Sequence, residues 1–157
     1  MTSLWQQELE SPLGCLQLSA SDQGLREIRF PSTRPWSKPT SSCGTLEDAK
    51  KQLSLYFQGR LTRFSLPLDF CGTPFQEQVW LAVNEIPFGT LVSYADIARA
   101  IGRPRSARPV GGAVGKNPLP IVVPCHRVVG SDGSLTGFTG GLDIKIWLLQ
   151  WEQALPD

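Results

Sequence analysis

SYADIARAIGRPRSARPVGGAVGKN, residues 93–117, is the stretch whose reading decides the second half of this chain. Ser93 stands three residues before Asp96, the spacing at which a hydroxyl and a carboxylate cap the first turn of a helix reciprocally. YADIARAIG then predicts a short helix that Gly102 stops. After RPRS, the run Ala107–Gly115 predicts a second helix, although each of its glycines costs a helix about 1 kcal/mol relative to alanine. Two short helices joined by a tight turn predict helix-turn-helix geometry. Most positions of the second helix are Ala, Gly or Val, which let a backbone approach a partner closely but read few base edges. Such a surface suits a protein that handles DNA of any sequence. Arg108, a long side chain at the helix start, has the reach to fill the space left by a base moved out of the stack.

Charge points the same way. The net charge of +1 neither demands nor excludes an acidic partner. Between Asp96 and Asp132, however, there is no acidic residue, while Arg99, Arg103, Arg105, Arg108, Lys116 and Arg127 all fall there. That basic span coincides with the helix-turn-helix, where phosphate contacts are expected. A solvated basic face is the alternative.

Next along the chain comes IVVPCHRVVG, residues 121–130, which places the only histidine beside a cysteine inside what otherwise reads as a buried strand. Pro124 cannot donate to a sheet ladder and holds Val123 extended, so the strand should end or bend there. Cys15, Cys43 and Cys71 read as small buried hydrophobes. Cys125 differs, because polar residues flanked by valines cost burial energy unless they find partners. A thiol becomes a nucleophile when a cation, an imidazole or a helix N-terminus stabilises its thiolate. Neighbours on a strand face opposite ways, so His126 needs a bend or a water to reach Cys125. Glu152, among Leu148, Leu149 and Trp151, is a candidate to orient the imidazole; an exposed helix-end carboxylate is the other reading.

The remaining segments complete the layout. Pro74 opens a helix carrying Phe75, Val79, Trp80 and Val83. LDIKIWLLQWE closes the chain as a helix with Leu142, Ile146 and Leu149 on one face, after the glycine-rich loop SDGSLTGFTGG. In the first half, GCLQLSA, the turn SDQG and GLREIRF predict a β-hairpin. Residues 31–45 predict a surface loop, a helix runs from Leu46 to Gly59, and LPLDF predicts a short strand. The expected architecture is an α/β N-terminal domain, a small antiparallel sheet plus helix over residues 1–72. A mostly α C-terminal domain with the helix-turn-helix follows over 73–157. Hydrophobic content of 41% and charged content of 18% are globular values. No apolar run reaches the ~18 residues of a membrane span, and no basic-then-apolar start marks a signal peptide. The four cysteines form no CxxC pair, so reduced thiols in a cytoplasmic setting are expected, with no metal.

These residues resemble the O6-alkylguanine-DNA alkyltransferases. PCHRV matches that family's active-site motif, and SYADIA, ARPVGGAVGKNPLPI, TGFTGGL and KIWLLQWE match in the same order, from about Thr73 to Glu152. The first half matches more loosely. The resemblance implies irreversible transfer of an alkyl group from O6-alkylguanine, less readily O4-alkylthymine, to Cys125 after the base is flipped from the duplex. It implies His126 as the base acting through water, Glu152 orienting it, and Tyr94 donating a proton to the departing guanine. The backbone carbonyls of Cys125 and Val128 would accept from the exocyclic amine, and the backbone around Thr139 would hydrogen-bond the O6 side, with Phe138 and Gly140 also bounding the pocket. Asn117 would tie the recognition helix to the active-site turn. Arg108, Ser93, Gly111, Gly112, Ala113 and Lys116 would meet the minor groove of double-stranded DNA.

Pro109 after Arg108, and Phe138 where some members carry Tyr, depart from the family pattern. The zinc ligands of some members have no counterpart. No cofactor is implied, a monomer is expected, and cooperativity along DNA stays open. A DNA-binding regulator with a structural Cys125 is the competing class, but it would need base-reading side chains on the second helix. A Cys–His hydrolase would need an oxyanion site and would turn over many times.

Overall fold

The structure is a computed structural model that describes residues 4–31, 40–135, 138 and 140–155. It divides into two compact units, Met1–Cys71 and Gly72–Asp157.

In the first unit, β1 (Leu4–Ser11), β2 (Gly14–Ser21) and β3 (Gly24–Arg29) form an antiparallel sheet in the order β1-β2-β3. The expected hairpin is β2–β3, with Leu18 opposite Ile28 and a bulge at Ser19/Ala20. Strand pleating sends Leu16, Leu18 and Ala20 to one face, where all three are buried with Leu25 and Ile28. Helix α1 (Gly44–Phe57) contributes Leu46, Ala49, Leu53 and Tyr56, the i, i+3, i+7 and i+10 stripe that builds the rest of this core. Strand β1 was not legible, because WQQELE has no apolar alternation; β2 supplies its register, pairing Leu9 with Leu16. Of the expected surface loop, residues 32–39 lie outside the described residues. Its far end is strapped to β1, since Thr40 N–H donates to Gln6 O (3.0 Å) and Gln7 Nε2 to Thr40 O (2.7 Å).

LPLDF is not a strand. Only one bridge forms, Leu25 with Leu68, closed by Leu25 N–H to Pro67 O and Asp69 N–H to Leu25 O, both 2.8 Å. Pro67 has no N–H with which to extend a ladder. Gly24, at φ 156°, permits this approach, because a Cβ there would lie 2.6 Å from Pro67 O.

The second unit contains α2 (Pro74–Val83), β4 (Val92–Ser93), α3 (Tyr94–Ala100) and α4 (Ala107–Gly115). A 3-10 turn (Cys125–Arg127), β5 (Val128–Val129) and α5 (Leu142–Trp151) follow. Thr73 caps α2 in a full capping box with Gln76, and Pro74 takes the first turn as expected. Ser93 does the same for α3: Asp96 N–H donates to Ser93 Oγ (3.0 Å) and Ser93 N–H to Asp96 Oδ2 (2.9 Å). Helix α4 opens at Ala107, with Val110 N–H reaching Ser106 O. Pro109 therefore sits in the first turn, where its missing N–H costs no helical bond. Trp80 on α2 donates its indole N–H to Ala113 O at 2.8 Å and pins the far end of α4. Thus a small antiparallel sheet with one long helix precedes a mostly helical unit carrying the helix-turn-helix.

Two local expectations fail here. The run 121–130 is not a strand: only Val128 and Val129 pair, in parallel, with Val92 and Ser93. The closing helix buries Lys145, Leu148 and Leu149 rather than the Leu142 face, and Leu142 is 44% exposed. Lys145, Leu148, Leu149 and Glu152 stand at i, i+3, i+4 and i+7, a proper inward stripe hidden by its two charged ends. Among the described residues, no helix is long and apolar enough to cross a membrane.

Candidate active site

The site is assembled by one irregular segment, residues 117–129. Ile121, fully buried, holds φ 74°, a conformation that costs a β-branched residue about 1–3 kcal/mol. The surrounding bonds hold it there. Asn117, just past α4, receives Leu119 N–H on Oδ1 (3.0 Å) and donates Nδ2 to Val123 O (2.9 Å). Val123 N–H closes back on Leu119 O at 2.9 Å. Pro124, at φ −80° and ψ 64°, makes an inverse γ-turn, with Cys125 N–H on Val123 O at 2.7 Å. This turn supplies the expected bend. It reverses the chain into the 3-10 turn, and pairing of β5 with β4 sets the exit beside the N-cap of α3.

Cys125 is 2% exposed, and burial pushes its thiol up to about 11. A hydrogen bond from the Asn117 side chain, the Lys145 charge and the residue's own backbone N–H act against that rise without cancelling it. The thiol is therefore protonated at neutral pH. Lys145 is itself buried and donates Nζ to Val128 O at 2.7 Å.

His126 and Glu152 are both fully buried and joined at 2.8 Å, Nε2 to Oε2. Arg127 clamps the same carboxylate, Nε to Oε1 at 2.7 Å and NH2 to Oε2 at 2.8 Å, and Gly89 N–H reaches Oε1 at 3.3 Å. Burial alone would raise Glu152. Hydrogen bonds from His126 and Arg127, and their charge, outweigh it and hold the carboxyl well below the usual range. An ionised carboxylate only accepts, so His126 carries its proton on Nε2 and Nδ1 is left as an acceptor. Among the described residues, Nδ1 is buried without a hydrogen-bond partner. Burial depresses the imidazole; Glu152 pulls the other way, and Arg127 and Lys145 add to the depression. The array is a protonated thiol next in chain to a neutral imidazole of fixed tautomer, the protonation states from which general-base activation of a nucleophile starts.

Other expected site residues are placed as follows. Tyr94 opens α3, half-buried, and its ring lies 3.7 Å from where a Cβ on Gly111 would stand. The Phe138 ring meets His126 edge-on with centroids 6.5 Å apart. Gly140 is half-buried in a turn, and Thr139 lies outside the described residues. The carbonyls of Cys125 and Val128 already accept once each, from Val128 N–H and Lys145 Nζ, and each keeps a second lone pair. On α4, Arg108, Gly112, Gly115 and Lys116 are exposed, and a Cβ at Gly112 or Gly115 would meet nothing. Ala113 is not on that face: it is 4% exposed and packs inward with Val110 and Val114.

The basic span also needs correction. Arg127 is buried in the ion pair with Glu152 and cannot meet a phosphate. Arg99 pairs with Asp96, and the Arg103 guanidinium stands 5.6 Å from the Phe75 ring centroid. Glu152 is buried rather than exposed at its helix end. Two residues of this site, Lys145 and Arg127 as ion-pair partner, were missed. The available signal was the spacing from Lys145 to Glu152, two turns of one helix with Leu148 and Leu149 between.

The unit that carries the helix-turn-helix thus holds a buried cysteine followed by a histidine–glutamate pair. Residues 74–154 match the model for the DNA-binding domain of 6-O-methylguanine DNA methyltransferase, and residues 6–70 match that enzyme's ribonuclease-like domain. The methylated-DNA–protein-cysteine methyltransferase of Mycolicibacterium paratuberculosis is 45% identical over 152 residues, 92% of this chain and 90% of its own. The constitutive Bacillus subtilis enzyme of that name is 42% identical, covering 92% of each chain. A crystal structure of Mycobacterium tuberculosis OGT in complex with DNA superposes with a TM-score of 0.85 at 43% identity, covering 94% of this chain and 91% of that one. The chain belongs to the 6-O-methylguanine DNA methyltransferase family.

Proposed function

We propose that this protein repairs O6-alkylguanine in double-stranded DNA by a single, irreversible alkyl transfer to Cys125, and O4-alkylthymine less readily. The observation that carries the reading is the buried array of Cys125, His126 and Glu152. A thiol near 11 does not ionise alone at neutral pH, and a neutral imidazole with Nδ1 open to accept supplies the base.

His126 takes the Cys125 proton through a water, and the sulfur attacks the alkyl carbon in line. The S–C bond forms as the C–O6 bond breaks, and its electron pair passes into the purine. Tyr94 protonates the leaving base and recovers a proton from the pool that His126 has loaded. The sum is thiol plus O6-alkylguanine giving thioether plus guanine. Little is demanded beyond alignment and two proton positions. A thioether does not revert, so each chain acts once.

The second unit carries this chemistry and the DNA contact. The base must leave the stack to reach a buried sulfur. Arg108 fills the gap while Gly111, Gly112, Ser93 and Lys116 line the minor groove, and the bare Gly112 surface of α4 suits close, sequence-independent approach. Phe138 and Gly140 bound the base, and the Cys125 and Val128 carbonyls accept from its amine. The working form is a cytoplasmic monomer.

The test is intact-mass measurement after incubation with duplex DNA holding one O6-methylguanine. One methyl per chain, on Cys125 and absent from Cys125→Ala, is expected. Many turnovers per chain, or no adduct, overturns the reading.

A further inference from the structure

We propose that Arg127 is a positioning residue for the alkyl transfer: its guanidinium, clamped on both oxygens of Glu152, supplies the buried carboxylate's counter-charge and so leaves His126 uncharged and able to accept a proton. This inference rests on the reading of Cys125 as the alkyl acceptor.

The geometry separates two jobs that one carboxylate is asked to do. Glu152 must stay ionised to hold the Nε2–H tautomer of His126, and a buried anion needs a cation. If Arg127 were absent, His126, 2.8 Å away, would be a titratable partner within reach. The pair would then become carboxylate and imidazolium, with Nδ1 protonated and the base lost. Arg127 prevents this with two parallel bonds to the carboxylate. A third bond, NH1 to Ile86 O at 2.6 Å, and the Phe88 ring 5.7 Å below fix the fork in place. The charged groups that act on His126 are Glu152 and Lys145 from α5 and Arg127 from its own turn. Lys145 opposes protonation as Arg127 does, but its Nζ donates to Val128 O, whereas Arg127 bonds the carboxylate itself.

Because His126 is the only histidine in the chain, one imidazole spectrum reports on it without assignment. Ring-nitrogen NMR of the unreacted full-length protein should show wild-type His126 as the neutral Nε2–H form at pH 6. Arg127→Met and Arg127→Gln should both move its titration above the ordinary 6.5, and Arg127→Lys should restore the neutral form. The transfer rate should follow with the same sign. At pH 6 the uncharged variants should fall behind wild type by about tenfold for each unit by which their titration lies above pH 6, and the gap should close by pH 9. Variants that fold and keep a neutral imidazole at pH 6, or that lose rate equally at all pH values, overturn the proposal. So does a result in which Met and Gln variants both fail to fold while Lys behaves as wild type, which would make Arg127 a structural strut. A wild-type protein that gains no methyl on Cys125 would instead refute the repair reading and leave the imidazole result standing.

Discussion

Replacing Glu152 by Gln tests the centre of the array. The native carboxylate accepts twice from Arg127, and from His126 and Gly89. Gln offers one oxygen, and its amide turns donor against donor toward Arg127 or His126. Arg127, 4% exposed, is left as a buried cation without its anion. Breaking a buried pair from one side costs about 3–5 kcal/mol. At a urea slope of about 2 kcal/mol/M, the midpoint should fall by roughly 2 M. The pH dependence fixes the sign. Glu152 is held below its ordinary 4.5, so its stabilisation is complete above that value and is lost as pH falls through the folded-state value. Urea melts at pH 7 and pH 3 should therefore show a large gap that narrows in acid. A gap under about 1 kcal/mol at pH 7, the range of exposed ion pairs, or one that does not change with pH, would refute the buried ion-pair account.

Two further outcomes follow from the backbone. Gly112→Ala should stabilise α4 by up to about 1 kcal/mol, since its Cβ meets nothing, while weakening DNA binding. Unchanged affinity in a fluorescence titration with duplex DNA would take Gly112 off the DNA face. Gln153 holds φ 61° just past α5, and Ala154 N–H closes on Leu149 O at 2.8 Å in the manner of a glycine-ended helix. Gln153→Gly should raise stability by about 0.5–1 kcal/mol with transfer unchanged, and a lower melting temperature would contradict this.

The helix-turn-helix was readable because its signals are local: the Ser93–Asp96 box, Gly102, and a helix of small residues. Cys125 and His126 were readable from the motif, whereas Glu152 among apolar neighbours read equally as an exposed helix-end carboxylate, and only the resemblance assigned it to His126. What escaped depended on distant partners. Strand β1 owes its existence to β2. Arg127 looked like one more surface cation, because no sequence pattern says that a guanidinium will find Glu152 twenty-five residues on and the Ile86 carbonyl forty-one residues back. Lys145 broke the apolar stripe of α5 in print while completing it in space. Ile121 hid for a different reason: a β-branched residue inside an apolar run reads as strand, and only the bonds around Asn117 force it into a turn.

The protonated state of Cys125 also bears on how the protein keeps between synthesis and use. Thiolates, not thiols, are what attack peroxides and disulfides. A sulfur near 11 and 2% exposed is therefore shielded from such oxidants by its proton and by burial, whereas Cys71 is exposed.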